Sequence, residues 1–189
     1  MKKLKIICIG AGNRGRGYFN IMSEQPDKFE LVGVADPIDS ARDVFVRSFG
    51  IPEENSYSSW EEIFSRPKFA DIAIISTLDD MHYEPAMKAI ELGYDLLLEK
   101  PMAQSVDEIA DIAKAAHKKG TKVIVCHVLR YTPFYKKVKD IVGSGALGEI
   151  MSVTALERVQ NIHYSHSYIR GNWHSEEEST PMLLAKSCH

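Results

Sequence analysis

The sequence predicts a doubly wound α/β fold, a parallel sheet covered by helices on both faces. Three observations carry this reading: apolar runs of strand length that are continuous rather than alternating, helical stretches between them, and a glycine-rich turn directly behind the first run. Strands without alternation are buried on both faces, as in a parallel sheet, and strands separated by helices imply right-handed crossovers.

The strand-like runs lie at 5–9, 31–35, 72–76, 95–98 and 123–127, and the helical stretches at 15–23, 40–49, 59–64, 81–92 and 105–119. The last helix is the clearest. Val106, Ile109, Ala110, Ile112, Ala113 and Ala116 form an apolar stripe, Ser105 can cap its start with Glu108 at the box position, and Gly120 can close its end. Beyond Val128 the pattern changes to an amphipathic helix at 133–142 and a Gly-rich turn through Gly148, followed by a predicted strand at 151–159. The chain therefore divides into 1–128, a connecting helix and turn at 129–150, and the incomplete start of another domain at 151–189. Residues 161–189 lack sheet partners of their own and are expected to be disordered, rearranged or held by a neighbouring chain, because ordering costs roughly 1–2 kcal/mol per residue in backbone entropy.

A length of 189 residues with 44% hydrophobic and 26% charged residues suits one full domain and a fragment. The net charge of −3, with acids and bases mixed, offers no sustained basic surface, so neither nucleic acid nor an anionic membrane is an expected partner; small polar ligands are. The opening "MKKLKIICIGAG" reads as a first strand, its apolar stretch too short for a signal peptide or a span. Cys8, Cys126 and Cys188 are odd in number and widely spaced, and two sit in apolar runs; buried thiols and a reducing cytoplasm are expected.

Gly10, Gly12 and Gly15 satisfy G-x-G-x-x-G between a strand and a helix, and Asp36 ends the second strand at the required distance. Gly10 permits the tight turn, Gly12 lets backbone amides approach a pyrophosphate, and Gly15 lets the helix pack on the strand; Asn13 and Arg14 complete the loop. Asp36 can accept from both hydroxyls of an adenosine ribose and would repel a 2′-phosphate, so NAD is expected over NADP, with Arg14 and Arg42 as counterweights. The competing reading is a plain turn with Asp36 capping the next helix. A nucleotide P-loop is excluded, since Arg16 and Gly17 follow Gly15 where Lys and Ser/Thr would be needed.

Residues near a nicotinamide should come from the carboxyl ends of later strands. "ISTLDDMH" supplies Thr77 and His82, "LLLEKPM" supplies Glu99 and Lys100, and "VCHVLRYTP" supplies His127. On statistics alone Lys100 is a surface lysine at a strand end, and His82 and His127 serve as caps as readily as contacts.

Taken together, Gly10-Ala11-Gly12-Asn13-Arg14-Gly15, Ala35-Asp36-Pro37, Glu99-Lys100-Pro101 and "GALGEI" at 145–150 resemble the Gfo/Idh/MocA oxidoreductases, which act mostly on sugars, inositols and related polyols. The resemblance implies a Rossmann domain followed by an α/β domain with a large open sheet that supplies the rest of the substrate site and, at full length, a homo-oligomer interface. It also implies that Lys100 serves catalysis and substrate binding. The family's late motif has an aspartate four residues before a histidine; His189 falls at the histidine, whereas Ala185, beside Lys186, stands at the aspartate. The implied function is an NAD-dependent dehydrogenase acting on CH–OH groups, with this chain binding cofactor but inactive by itself. Glycoside hydrolysis by transient oxidation, which the family also includes, and a non-catalytic dinucleotide-binding module, suggested by Ala185, are the alternatives.

Weaker features complete the sequence. His163, His166 and His174 lack convincing ligand spacing, so no metal is expected. Glu176, Glu177 and Glu178 read as a solvated face, Trp60 as packing under the sheet, and Trp173 as a possible sugar-stacking ring.

Overall fold

The computed structural model describes residues 2–175 and 179–187, which fall into two compact units, Met1–Cys126 and His127–His189. The first unit carries the strands β1 (Leu4–Ile9), β2 (Phe29–Ala35), β3 (Ser56–Tyr57), β4 (Ile72–Ile75), β5 (Asp95–Leu98) and β6 (Val123–Val125). Between them run the helices α1 (Asn13–Ser23), α2 (Asp39–Phe49), α3 (Trp60–Ser65), α4 (Tyr83–Leu92) and α5 (Val106–Lys119). All strand pairs are parallel, in the order β3-β2-β1-β4-β5-β6. The chain reverses its direction of winding between β1 and β4, and a crevice opens outside the carboxyl ends of strands at such a point. The register aligns those ends: Ile9 pairs with Ala35 and Ile75, Ile75 with Leu98, and Leu98 with Val125.

Alternation along the strands sends side chains to two apolar layers. Ile7, Ile9, Ala73, Ile75, Leu96 and Leu98 pack with Ile63, Ala86, Ile90, Tyr94 and Ile112 on one face, whereas Ile6, Cys8, Val34 and Ile74 meet Phe19 and Phe45 on the other. Phe19, Phe45 and Phe49 form an aromatic triad with ring centroids 4.9–5.4 Å apart. Trp60 packs against the first layer, as expected from the sequence.

Several boundaries differ from the sequence reading. β3 was not foreseen, α1 begins two residues earlier, and α4 begins at Tyr83 because Asp79–Met81 form a separate 3₁₀ turn. In the second unit a 3₁₀ turn at Val128–Tyr131 leads to α6 (Pro133–Gly143). The strand expected at 151–159 does not form. A strand exists only through a ladder partner, and Met151, Val153 and Leu156 are instead 86%, 82% and 76% exposed. Helices then follow, which close their hydrogen bonds locally: α7 (Asn161–Tyr164), a π turn (Ser165–Ile169) and α8 (Met182–Ser187). Glu176, Glu177, Glu178, Cys188 and His189 lie outside the described residues. No helix of the described residues is long and apolar enough to cross a membrane.

Candidate functional site

The glycine loop runs from β1 into α1 at the reversal of winding. Gly10 has φ +94°, and a Cβ there would lie 2.7 Å from the Ser76 backbone, so the position demands glycine twice over. A Cβ on Gly15 would come within 2.3 Å of the Gly10 carbonyl oxygen and 2.8 Å of Cys8 Sγ. Ser76 Oγ donates to the Gly10 carbonyl at 2.8 Å, pinning the loop to the end of β4. A Cβ on Gly12, by contrast, would meet nothing within 4 Å. Gly12, Asn13 and Arg14 are exposed, and no side chain caps the start of α1. Open space in front of unclaimed amides at the start of an 11-residue helix fits a pyrophosphate.

Asp36 stands at the end of β2 and ties two loops together. Its Oδ2 accepts the Ala11 N–H at 2.7 Å and its Oδ1 the Ile38 N–H at 2.9 Å. This orientation leaves the second lone pair of each oxygen for ribose hydroxyls. Arg42, only 14% exposed in its side chain, donates to the Asp36 carbonyl and pairs with Asp39, so one of the two arginine counterweights does sit beside Asp36. The dinucleotide thus fits the residues present: a cradle for the pyrophosphate and a carboxylate for the adenosine ribose.

The later strand ends supply the other candidates. Thr77 is half-buried and its hydroxyl donates to the Met81 carbonyl at 3.0 Å. His82 is 1% exposed, with Nδ1 2.7 Å from the Pro101 carbonyl oxygen and Nε2 3.2 Å from that of Thr77. Its ring therefore braces two turns instead of presenting a free face. Lys100 is partly exposed at the tip of β5, preceding a cis peptide bond to Pro101. Glu99 is 6% exposed, and its carboxylate accepts from the Tyr18 hydroxyl and, at 3.1 Å, from the Lys100 N–H. Arg14 Nε lies 3.8 Å from the same carboxylate. Burial pushes the Cys8 thiol up to about 12 and the Cys126 thiol up to about 11, so both are inert at neutral pH.

Gly10, Gly12, Asn13, Arg14, Gly15, Asp36, Thr77, Glu99 and Lys100 thus gather along one rim of the sheet. Sequence reasoning missed Ser76 and Tyr18. Tyr18 lies one helical turn beyond Arg14, on the same face of α1, the only local signal that they share a partner. The late motif is divided: Ala185 is 4% exposed on α8, and His189 is outside the described residues. Among the described residues no group of three or more His, Cys, Asp or Glu could hold a metal ion. Trp173 lies against Tyr168, ring centroids 6.2 Å apart.

The family described as "Oxidoreductase family, NAD-binding Rossmann fold" (GFO_IDH_MocA) matches residues 4–127. The chain belongs to the Gfo/Idh/MocA oxidoreductase family. It is 27% identical to the oxidoreductase YteT of Bacillus subtilis (strain 168), covering 97% of this chain and 44% of that protein. The scyllo-inositol 2-dehydrogenase (NADP(+)) IolW of the same organism is 25% identical, over 78% of this chain and 39% of its own length. The 2,7-anhydro-N-acetylneuraminate hydratase of Mediterraneibacter gnavus is 25% identical, over 98% and 44%. Among solved structures, the WlbA dehydrogenase from Bordetella pertussis, crystallised with NADH and UDP-GlcNAcA, superposes with a TM-score of 0.73 at 22% identity, over 79% of this chain and 44% of WlbA. This Gfo/Idh/MocA chain spans less than half the length of these relatives.

Proposed function

We propose that the chain is the dinucleotide-binding part of an NAD-dependent oxidoreductase acting on a CH–OH group of a sugar, inositol or related polyol. The observation that carries the reading is the convergence of the glycine cradle, Asp36 and Lys100 on one rim of the sheet. The amides of Gly12, Asn13 and Arg14 would hold the pyrophosphate, and Asp36 would accept from the adenosine ribose hydroxyls. NAD, when bound, supplies the hydride acceptor. Lys100 reaches from the end of β5 to the substrate oxygen, where its ammonium stabilises developing negative charge. His189, completed by residues of the second domain, takes the hydroxyl proton; Ala185 replaces the carboxylate that would orient it.

The reading divides the chain as 1–128 for cofactor, 129–150 as connection and 151–189 as the first part of the substrate and oligomer domain. The protein works in the cytoplasm as a homo-oligomer on a small-molecule substrate, without nucleic acid or membrane. NAD binds more tightly than NADP, because Asp36 faces the 2′ position; titration of both cofactors checks this, and equal or reversed affinities would show that Arg42 and Arg14 dominate. The decisive experiment follows NADH formation by the whole protein across a polyol panel. Lys100→Ala is expected to lower kcat by about 100-fold or more, and no NADH formation with any polyol overturns the reading.

A second reading has support in the likeness to the hydratase: oxidation followed by return of the hydride, with no net redox change. Product formation without net NADH separates it from the first.

A further inference from the structure

Behind Lys100 lies a polar cluster made from three parts of the sheet rim. Tyr18 comes from α1, Glu99 from the end of β5, and Cys126 from the residue after β6. The Tyr18 hydroxyl donates to Glu99 Oε1, while Arg14 Nε stands 3.8 Å from the same oxygen. The other oxygen, Oε2, accepts the Lys100 N–H. Glu99 and Cys126 are 6% and 5% exposed, so the carboxylate is fixed by protein groups more than by water. A buried carboxylate rotates freely about its last bond unless both oxygens are engaged. Here one oxygen is held from the helix that follows the glycine loop, and the other holds the backbone of the lysine.

We propose that Tyr18 is a positioning residue: through Glu99 it fixes the main chain at Lys100, and so ties the start of the cofactor helix to the residue that meets the substrate. The role in turnover rests on the oxidoreductase reading above; the tie itself does not. Burial and the neighbouring Glu99 carboxylate raise the Tyr18 phenol pKa, which keeps its proton available for donation across the physiological range. Tyr18→Phe retains the ring and removes only the donor. Glu99 Oε1 then keeps Arg14 alone, an exposed and longer contact, and the Oε2 bond to the Lys100 amide loses its fixed geometry.

The test is amide hydrogen exchange on the 189-residue chain, read residue by residue, with kcat and KM for NAD measured on the whole protein. In Tyr18→Phe the Lys100 amide is expected to exchange about tenfold faster, while Ile7 and Ile74 in the central strands keep their protection. Glu99→Gln, which has one acceptor oxygen for two donors, gives the same selective change and serves if Tyr18→Phe does not fold. In the whole protein Tyr18→Phe lowers kcat about tenfold with KM for NAD within about twofold. Unchanged Lys100 exchange in both variants overturns the tie, as does a loss of protection that spreads over Ile7 and Ile74, which marks a merely structural tyrosine. Faster Lys100 exchange with unchanged kcat overturns the role in turnover. A wild-type protein without turnover overturns the oxidoreductase reading, and the exchange data then still decide the tie.

Discussion

Gly12 and Gly15 sit three residues apart in the same loop, yet they answer to different demands. Gly15 is a packing glycine: its absent Cβ is the space taken by the Gly10 carbonyl, a backbone atom that cannot step aside. Gly15→Ala is therefore expected to lower the thermal midpoint by about 5 °C or more and to abolish NADH binding. Gly12 has open space where its side chain would be, and in the proposed reading that space belongs to the ligand. Gly12→Ala should keep its midpoint within about 2 °C and weaken NADH binding about tenfold or more, as measured by calorimetry. Equal destabilisation by both would refute the distinction. Both glycines and Asp36 were legible in the sequence because their spacing is local to one strand, turn and helix. The Tyr18 bond to Glu99 was not, since 81 residues separate the partners and only the sheet order brings them together. His82 shows the same limit: the sequence left open a cap or a crevice contact, and the Pro101 carbonyl that its Nδ1 meets lies 19 residues on.

Helices announced themselves better than strands. The caps of α5 were readable, and the structure closes both sides of its capping box: Ser105 Oγ accepts the Glu108 N–H at 3.2 Å, and Glu108 Oε2 accepts the Ser105 N–H at 3.1 Å. The stripe is narrower than the sequence implied: only Ile112 and Ala116 are buried, while Val106 is 81% exposed and Ile109 and Ala113 face solvent. Gly120 ends the helix at φ +76°. Ser105→Ala should cost about 1 kcal/mol in urea unfolding, with Ser105→Asp restoring most of it; a neutral Ser105→Ala would mean that the box contributes nothing. Strands depend on distant partners, which explains both errors. β3 is two residues long and owes its pairing to Val34 and Ala35 of β2, whereas 151–159 has the apolar composition of a strand and no ladder. Local bonds can be read locally; ladders cannot.

At the scale of the molecule, both apolar layers are built entirely from residues of the first unit. A fragment of residues 1–128 is expected to unfold cooperatively and to bind NADH within about threefold of the 189-residue chain. A fragment that melts without cooperativity, or binds tenfold more weakly, would show that the second unit supports the cofactor site. The sheet order bears also on how the chain is made. β1 lies between β2 and β4, and the turn after it closes on Ser76. At about 5–20 residues per second of synthesis, β1 is therefore held for seconds before β4, the strand that completes its pairing, has been translated. The glycine loop is translated more than 50 residues before Ser76, so its closed form is not available on the nascent chain until β4 has left the exit tunnel.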